Sequence, residues 1–143
     1  MSTVAANLLE WTPEHSVHVP EIDREHQAFF GLLNRLHRAM LDGKGKEILK
    51  PLLAEVIEYA SCHFAHEKEL MTAVRYPELR EHVREHDELR RTAQAFQERY
   101  ERGEVTMTIE LTVFLSEWIK RHVMTTDLRL GEFLSASGRA PAP

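Results

Sequence analysis

Apolar residues recur along this chain at alternating steps of three and four positions, the rhythm of a helix with one buried stripe. The first stripe runs through Ile22, His26, Phe29, Leu33, Leu36 and Met40, until Asp42, Gly43, Lys44 and Gly45 interrupt it with two helix-poor glycines. The second takes in Leu49, Leu53, Val56, Ala60, His63, Glu67, Leu70 and Val74. Pro51 is tolerated only in a first helical turn, so this helix is expected to begin near Glu47 or later. The third follows Tyr76 and Pro77, with Pro77 suited to the first helical position and Glu78 to the positive end of a helix. Its stripe is Leu79, His82, His86, Leu89, Ala93, Phe96 and Tyr100, and Gly103 closes it. The fourth reads Leu111, Leu115, Trp118 and His122, after a Thr106 or Thr108 able to cap. No strand-like alternation competes, and the short connections favour antiparallel neighbours. The pattern predicts an all-α fold, an up-down-up-down antiparallel four-helix bundle over residues 21–133. An N-terminal arm, 1–20, precedes it, and a short flexible C-terminal tail, 134–143, follows.

The middles of the stripes hold the wrong kind of residue for a plain core. His26, His63, Glu67, His82, His86 and His122 all keep the apolar rhythm. Buried imidazoles and a buried carboxylate are costly unless partnered, and a metal satisfies several at once. At about 1.5 Å of rise per residue, His26 lies roughly 15 residues before the first break, and His63 roughly 16 after Glu47. The same count from His86 to Tyr100 and from Met107 to His122 is similar, so four helices can bring their ligands to one depth. The pairs His63/Glu67 and His82/His86 are four apart and share a helix face. A seventh candidate, Asp127, stands five after His122, which on an ideal helix leaves the two side chains some 140° apart. The span 122–127 is therefore expected to be irregular, either through a π-bulge or through a helix ending near Met124 with Asp127 turned inward.

A lone histidine on an apolar stripe is ordinarily a hydrogen-bonded core or boundary residue, but five at one depth with two carboxylates do not fit that description. The remaining histidines do. His37 lies three turns beyond His26, about 16 Å along the axis, too far to join the cluster. His66 sits on the flank of the second helix, and His15 and His18 sit in the arm, where a surface role is expected. Seven nitrogen and oxygen donors are too many for one tetrahedral zinc, whereas two carboxylates suit bridging of two ions and imidazole with carboxylate suits iron. The usual ferritin-like pair of Glu-x-x-His motifs does not occur, so a di-iron site here is of a different, histidine-rich kind.

Composition adds exclusions. At 143 residues the chain suits one domain, and its single cysteine, Cys62, rules out a disulfide framework or a cysteine-based zinc motif. Cys62 precedes a ligand and is expected to be a packing residue off the seam. The opening residues lack a basic region followed by an apolar run, and no stretch approaches the roughly 20 apolar residues of a bilayer span. The expectation is a soluble, cytoplasmic protein without a membrane span. With 18 Lys and Arg against 23 Asp and Glu, the net charge of −5 gives no electrostatic reason to approach nucleic acid.

Taken together, these residues resemble the hemerythrin family, specifically its single-domain bacterial members. The likeness is spread over residues 11–133: Ser16-Val17 with Pro20-Glu21-Ile22-Asp23 and His26; Tyr59 with His63-Phe64, Glu67 and Leu70-Met71; Tyr76-Pro77 with His82 and His86; Trp118 with His122 and Asp127. The resemblance implies two iron ions, cycling between Fe2+ and Fe3+, with a bridging oxo or hydroxo group. It gives His82, His86 and His122 to one iron and His26 and His63 to the other, with Glu67 and Asp127 bridging. Donor counting then makes one iron six-coordinate and the other five-coordinate, with the open position beside His26 and His63. Phe29, Phe64, Trp118, Ile119 and Val123 are the candidates for the wall of a dioxygen pocket. The sequence departs from the family pattern at His18, where glycine is common, at Lys68, where a second Glu is common, and at Leu130, where tyrosine is frequent. The function implied is reversible dioxygen binding for storage or delivery by a protein that is not an enzyme, with an oxygen-consuming protein as recipient. An oxygen or redox sensor, or a di-iron oxidoreductase acting on peroxide or nitric oxide, is the alternative.

Overall fold

The computed structural model describes residues 8–136. Four long helical elements form the expected up-down-up-down bundle: α1 (Pro20–Leu41), α2 (Lys46–Ala73), α3 (Leu79–Glu101) and α4 (Ile109–His122). A π-helical segment, Val123–Asp127, carries α4 without a break into α5 (Leu128–Ala136). Pro20 opens α1 with its fixed φ, and Glu21 and Asp23 lie at the positive end of the helix. Gly43, at φ +71, lets the chain reverse after α1, and Gly103, at φ +76, does the same after α3. The core is a column of side chains from all four helices, among them Ile22, Phe30, Leu33, Leu36, Leu53 and Met71, each at most 2% exposed.

Boundaries differ from the sequence pattern in three places. α2 starts at Lys46 and takes Pro51 into its interior; the proline lies on the exposed face, where water can satisfy the carbonyl left without a donor. α3 starts at Leu79, because Pro77 and Glu78 are used in the preceding turn, in which the Leu79 N–H donates to the Tyr76 carbonyl at 3.2 Å. At the C-terminal end, residues 134–136 continue α5 and do not begin a tail: the Leu134 side chain, 1% exposed, is part of the core and holds the last turn down. The rest of the expected tail, 137–143, lies outside the described residues.

Of the expected N-terminal arm, residues 1–7 lie outside the described residues, and from residue 8 on the segment is packed down. Leu9 exchanges two hydrogen bonds with the Asn34 side chain on α1, at 2.9 and 2.7 Å, and Leu9, Val17 and Val19 are buried. Asp23 accepts from the Ser16 hydroxyl at 2.6 Å and from the Val17 N–H at 2.9 Å. Gly131 on α5 marks where this segment crosses: a Cβ there would lie 1.8 Å from the Val17 carbonyl oxygen. His18, exposed, sits at φ +67, the left-handed region in which glycine is the cheapest residue. His15 is half-buried with its ring edge-on to Phe30 at 5.4 Å, so it helps to pin the segment and is not a purely surface residue.

Candidate metal centre

Each helix brings its share to one level of the bundle because the rises counted along the sequence match. α1 supplies His26, α2 His63 and Glu67, α3 His82 and His86, and α4 with the π segment His122 and Asp127. All seven are buried, none more than 4% exposed. The π segment is what brings Asp127 in: with turns closed by i→i+5 hydrogen bonds, residue 127 stacks one turn above 122 instead of rotating away.

The donor atoms fall into two groups that share both carboxylates. Glu67, His82, His86, His122 and Asp127 form one, and His26, His63, Glu67 and Asp127 the other, with atoms in each group within 4.8 Å of one another. Each carboxylate divides its oxygens between them. Glu67 Oε1 is 3.2 Å from the Nε2 atoms of His82 and of His86, while Glu67 Oε2 is 3.2 Å from His63 Nε2. Asp127 Oδ1 is 2.9 Å from His82 Nε2 and 3.1 Å from His122 Nε2, while Oδ2 is 3.1 Å from His26 Nε2.

These approaches are not a finished hydrogen-bond network. His26 Nε2, His63 Nε2, Glu67 Oε2 and Asp127 Oδ1 are buried without a hydrogen-bonding partner, although oppositely charged atoms stand within reach. His82 Nε2 and Glu67 Oε1 meet at hydrogen-bond geometry, 3.2 Å, but the other four atoms converge on the shared groups without completing a bond. His86 Nε2 and His122 Nε2 face one another at 3.0 Å, an arrangement that needs either a shared proton or a cation between them. Buried polar atoms in this condition, nitrogen and carboxylate oxygen together, fit a pair of transition-metal ions.

Protons do the cation's work in the metal-free chain. Burial opposes charge on Glu67, yet His63, His26 and His82 hold its carboxyl well below the usual range. Burial and the neighbouring Glu67 charge likewise work against Asp127, and His122 and His26 outweigh them. The imidazoles move the other way. Burial disfavours their charge, but the two carboxylates push His63 and His122 up to about 10 and His82 up to about 9. His86 goes down, because burial dominates and the charge on His122 adds to it.

Outside the cluster, two carboxylates orient ligand rings across helix boundaries. Glu25 on α1 accepts from His63 Nδ1 on α2 at 2.5 Å, and Glu85 on α3 accepts from His122 Nδ1 at 2.8 Å and from the Thr126 hydroxyl at 2.8 Å. Fixing Nδ1–H in this way leaves Nε2 with its lone pair toward the centre. Burial works against the charge of Glu25, but its bonds to His63 and His66 keep its pKa below the ordinary value; Glu85 is lowered to about 2, chiefly by its bond to His122. The stripe pattern missed both. Their signal was the dipeptide Glu-His at 25–26 and 85–86, which places an acid on the flank of a ligand helix, facing its neighbour.

The five expected pocket residues do not share one wall. Phe29 and Ile119 line a cavity of about 20 Å³ with Leu33, Ala60, Leu89 and Leu115. Phe64 instead stacks flat on His86, ring centres 3.8 Å apart, and Trp118 stacks on His122 at 4.6 Å. Both rings thus brace the three-histidine group. Val123 is buried beside His122 at the start of the π segment. Among the other residues set aside in the sequence, His37 bonds Thr112 at 2.8 Å, far from the cluster, and His66 is half-buried on the flank of α2. Cys62 is exposed and packs against no core, since the position before His63 on α2 faces outward.

Compared with known protein families, residues 17–134 match the hemerythrin HHE cation binding domain. The chain belongs to the hemerythrin family. A bacteriohemerythrin of Methylococcus capsulatus is 32% identical over 130 residues, covering 90% of this chain and 98% of the relative. One from Stenotrophomonas maltophilia is 30% identical, covering 84% and 77%. The fold superposes on a crystal structure of wild-type hemerythrin with a TM-score of 0.86 at 28% identity, over 90% of this chain and 98% of that one. No helix among the described residues is long and apolar enough to cross a membrane.

Proposed function

We propose that the chain binds dioxygen reversibly at a pair of iron ions, for storage or delivery. One observation carries this reading: the two donor groups are unequal, three imidazoles against two, around the same two carboxylates. His82, His86 and His122 would hold one ion and His26 and His63 the other, with Glu67 and Asp127 shared between them. The two-histidine side then has the position free for an exogenous ligand. A pair of ferrous ions supplies the two electrons that reversible dioxygen binding needs.

The chain's own residues contribute orientation and dryness. Glu25 and Glu85 hold the His63 and His122 rings in register, and Phe64 and Trp118 brace His86 and His122 by stacking. The apolar cavity supports the ligand assignment. Phe29, Ala60, Leu89 and Ile119 are each three residues from a ligand, on α1, α2, α3 and α4 in turn, so the cavity lies one turn from the cluster on every helix. A lining this apolar disfavours ordered water and suits a small apolar molecule. Excluding water there also limits the protons that reach the centre.

The test is gas uptake. Protein loaded with ferrous iron under anaerobic conditions is expected to take up one dioxygen for every two irons and to return it under argon. Continued consumption of dioxygen, or turnover of peroxide or nitric oxide, would replace the carrier reading with an oxidoreductase.

A further inference from the structure

Beyond the cluster, on the outer face of α1 and α2, stands a second group of titratable side chains: Glu21, Glu25 and His66, all half-buried. His66 Nε2 is 2.5 Å from Glu21 Oε1, and His66 Nδ1 is 2.6 Å from Glu25 Oε2. The other oxygen of Glu25 accepts from His63 Nδ1 at 2.5 Å. The two carboxylates approach opposite nitrogens of one imidazole ring, so as placed they partner the ring instead of converging with one of its nitrogens on a single point. Glu25 joins the two rings by hydrogen bonds, His66 Nδ1 on one oxygen and His63 Nδ1 on the other, and Glu21 makes a charge contact with the far nitrogen of His66, so the series runs from the surface to the buried His63.

We propose that His66 is a positioning residue for the two-histidine half of the centre, acting through Glu25 on His63. This rests on the iron reading given above and assigns a role to a residue that holds no metal itself. Three observations support it. The Glu25 carboxylate has one oxygen on each ring, so His66 fixes the rotation of the group that fixes His63. Among the described residues the other imidazole of that half, His26, has its Nδ1 buried with no hydrogen-bonding partner, as His82 has in the other half, so the two-histidine half depends on His63 alone for a ring oriented through Nδ1. The three-histidine half is served differently: Glu85 is steadied by the Thr126 hydroxyl, and no second imidazole takes part. With fewer protein donors, the two-histidine half loses proportionally more when one ring is loosened.

The experiment is iron release from the anaerobic, fully loaded ferrous protein to a chelator, with Mössbauer spectra of the partly depleted sample. Partners of ligand histidines typically change metal affinity 10- to 100-fold, and His66 acts one link further out, so about a tenfold effect is expected. In His66→Ala the first iron leaves about tenfold faster and the second at the wild-type rate. The iron remaining gives the same quadrupole doublet as the one-iron form of His63→Ala. His66→Gln keeps an N–H toward Glu25 and releases its first iron at an intermediate rate. If His66→Ala fails to fold, His66→Gln alone must show the faster first phase with an unchanged second. Equal acceleration of both phases, no change in either, or a glutamine variant no better than alanine overturns the proposal. Wild-type protein that binds no iron pair refutes the underlying function, and with it this role; an iron pair whose release ignores residue 66 refutes this role alone.

Discussion

At the scale of single residues, every buried imidazole in the centre occupies a place that a bundle would ordinarily give to leucine, and its desolvation is offset only by the carboxylates or cation opposite it. Glu67 touches His63, His82 and His86 at once, so Glu67→Ala is expected to abolish stable iron loading. His37→Ala removes only a bond to Thr112, costing about 1 kcal/mol, and leaves iron content unchanged. Iron analysis of the two purified variants checks this, and equal losses would refute the division of the histidines. In the metal-free chain, His63 and His122 titrate near 10 against an ordinary 6.5, so their stabilisation is complete below about 6.5 and is lost as pH rises toward 10. Glu85, lowered from 4.5 to about 2, works in the opposite sense: its contribution is present above 4.5 and lost as pH falls through 2. The urea midpoint of metal-free protein is therefore expected to be highest between these limits and to fall on the alkaline side; a midpoint that rises from pH 6.5 to 9 contradicts the assignment. Iron uptake must displace the same protons, so it weakens toward acid pH. Six of the seven clustered side chains were legible because they sit on the stripes, whereas Asp127 was read from its spacing to His122 and from the family resemblance. Glu25, Glu85 and the outward-facing Cys62 were not legible, because they lie on helix flanks, where apolar periodicity carries no signal.

At the scale of elements, the four helices follow from periodicity and the awkward five-residue spacing of His122 and Asp127 follows from helix geometry, but the choice of device does not. A π segment and a helix end both turn Asp127 inward, and what favours the former is continuity: Leu130 and Leu134, beyond it, remain buried in the bundle. The extra residue in the segment can be tested by changing its number. Inserting one alanine after the exposed Met124 rotates Asp127 and the whole of α5 by about 100° and is expected to prevent loading of an iron pair. Deleting Met124 leaves Asp127 four residues after His122, on one face of an ordinary helix, and is expected to retain it. Metal content measured beside helical circular dichroism separates loss of the site from loss of the helix. The starts of α2 and α3 were misplaced by one and two residues for a common reason, since a proline states where a helix is permitted and not where its capping bonds form.

At the scale of the molecule, residues 8–19 of the expected arm close the bundle instead of trailing from it, while 1–7 lie outside the described residues. Sequence reading took this segment for an arm, because its anchors are a carboxylate, an asparagine and a missing side chain, none of which has a period. Gly131 is the tightest of these: Gly131→Ala sets a methyl against the Val17 carbonyl, whose backbone Asp23 holds, and should cost about 1–3 kcal/mol in denaturant unfolding without changing iron content. An unchanged midpoint would mean that the segment yields freely. The family and bundle were readable from one chain because both are written in the core stripes, whereas the inequality of the two donor groups stood there only as what the family resemblance implies, and its geometry takes form when four helices meet. That inequality is the centre of the account. It is tested most directly by X-ray diffraction at the iron absorption edge on crystals of the loaded protein. Two anomalous peaks are predicted between Glu67 and Asp127, one bonded to His82, His86 and His122 and the other to His26 and His63 alone. A single peak, or two with equal numbers of imidazoles, would contradict it.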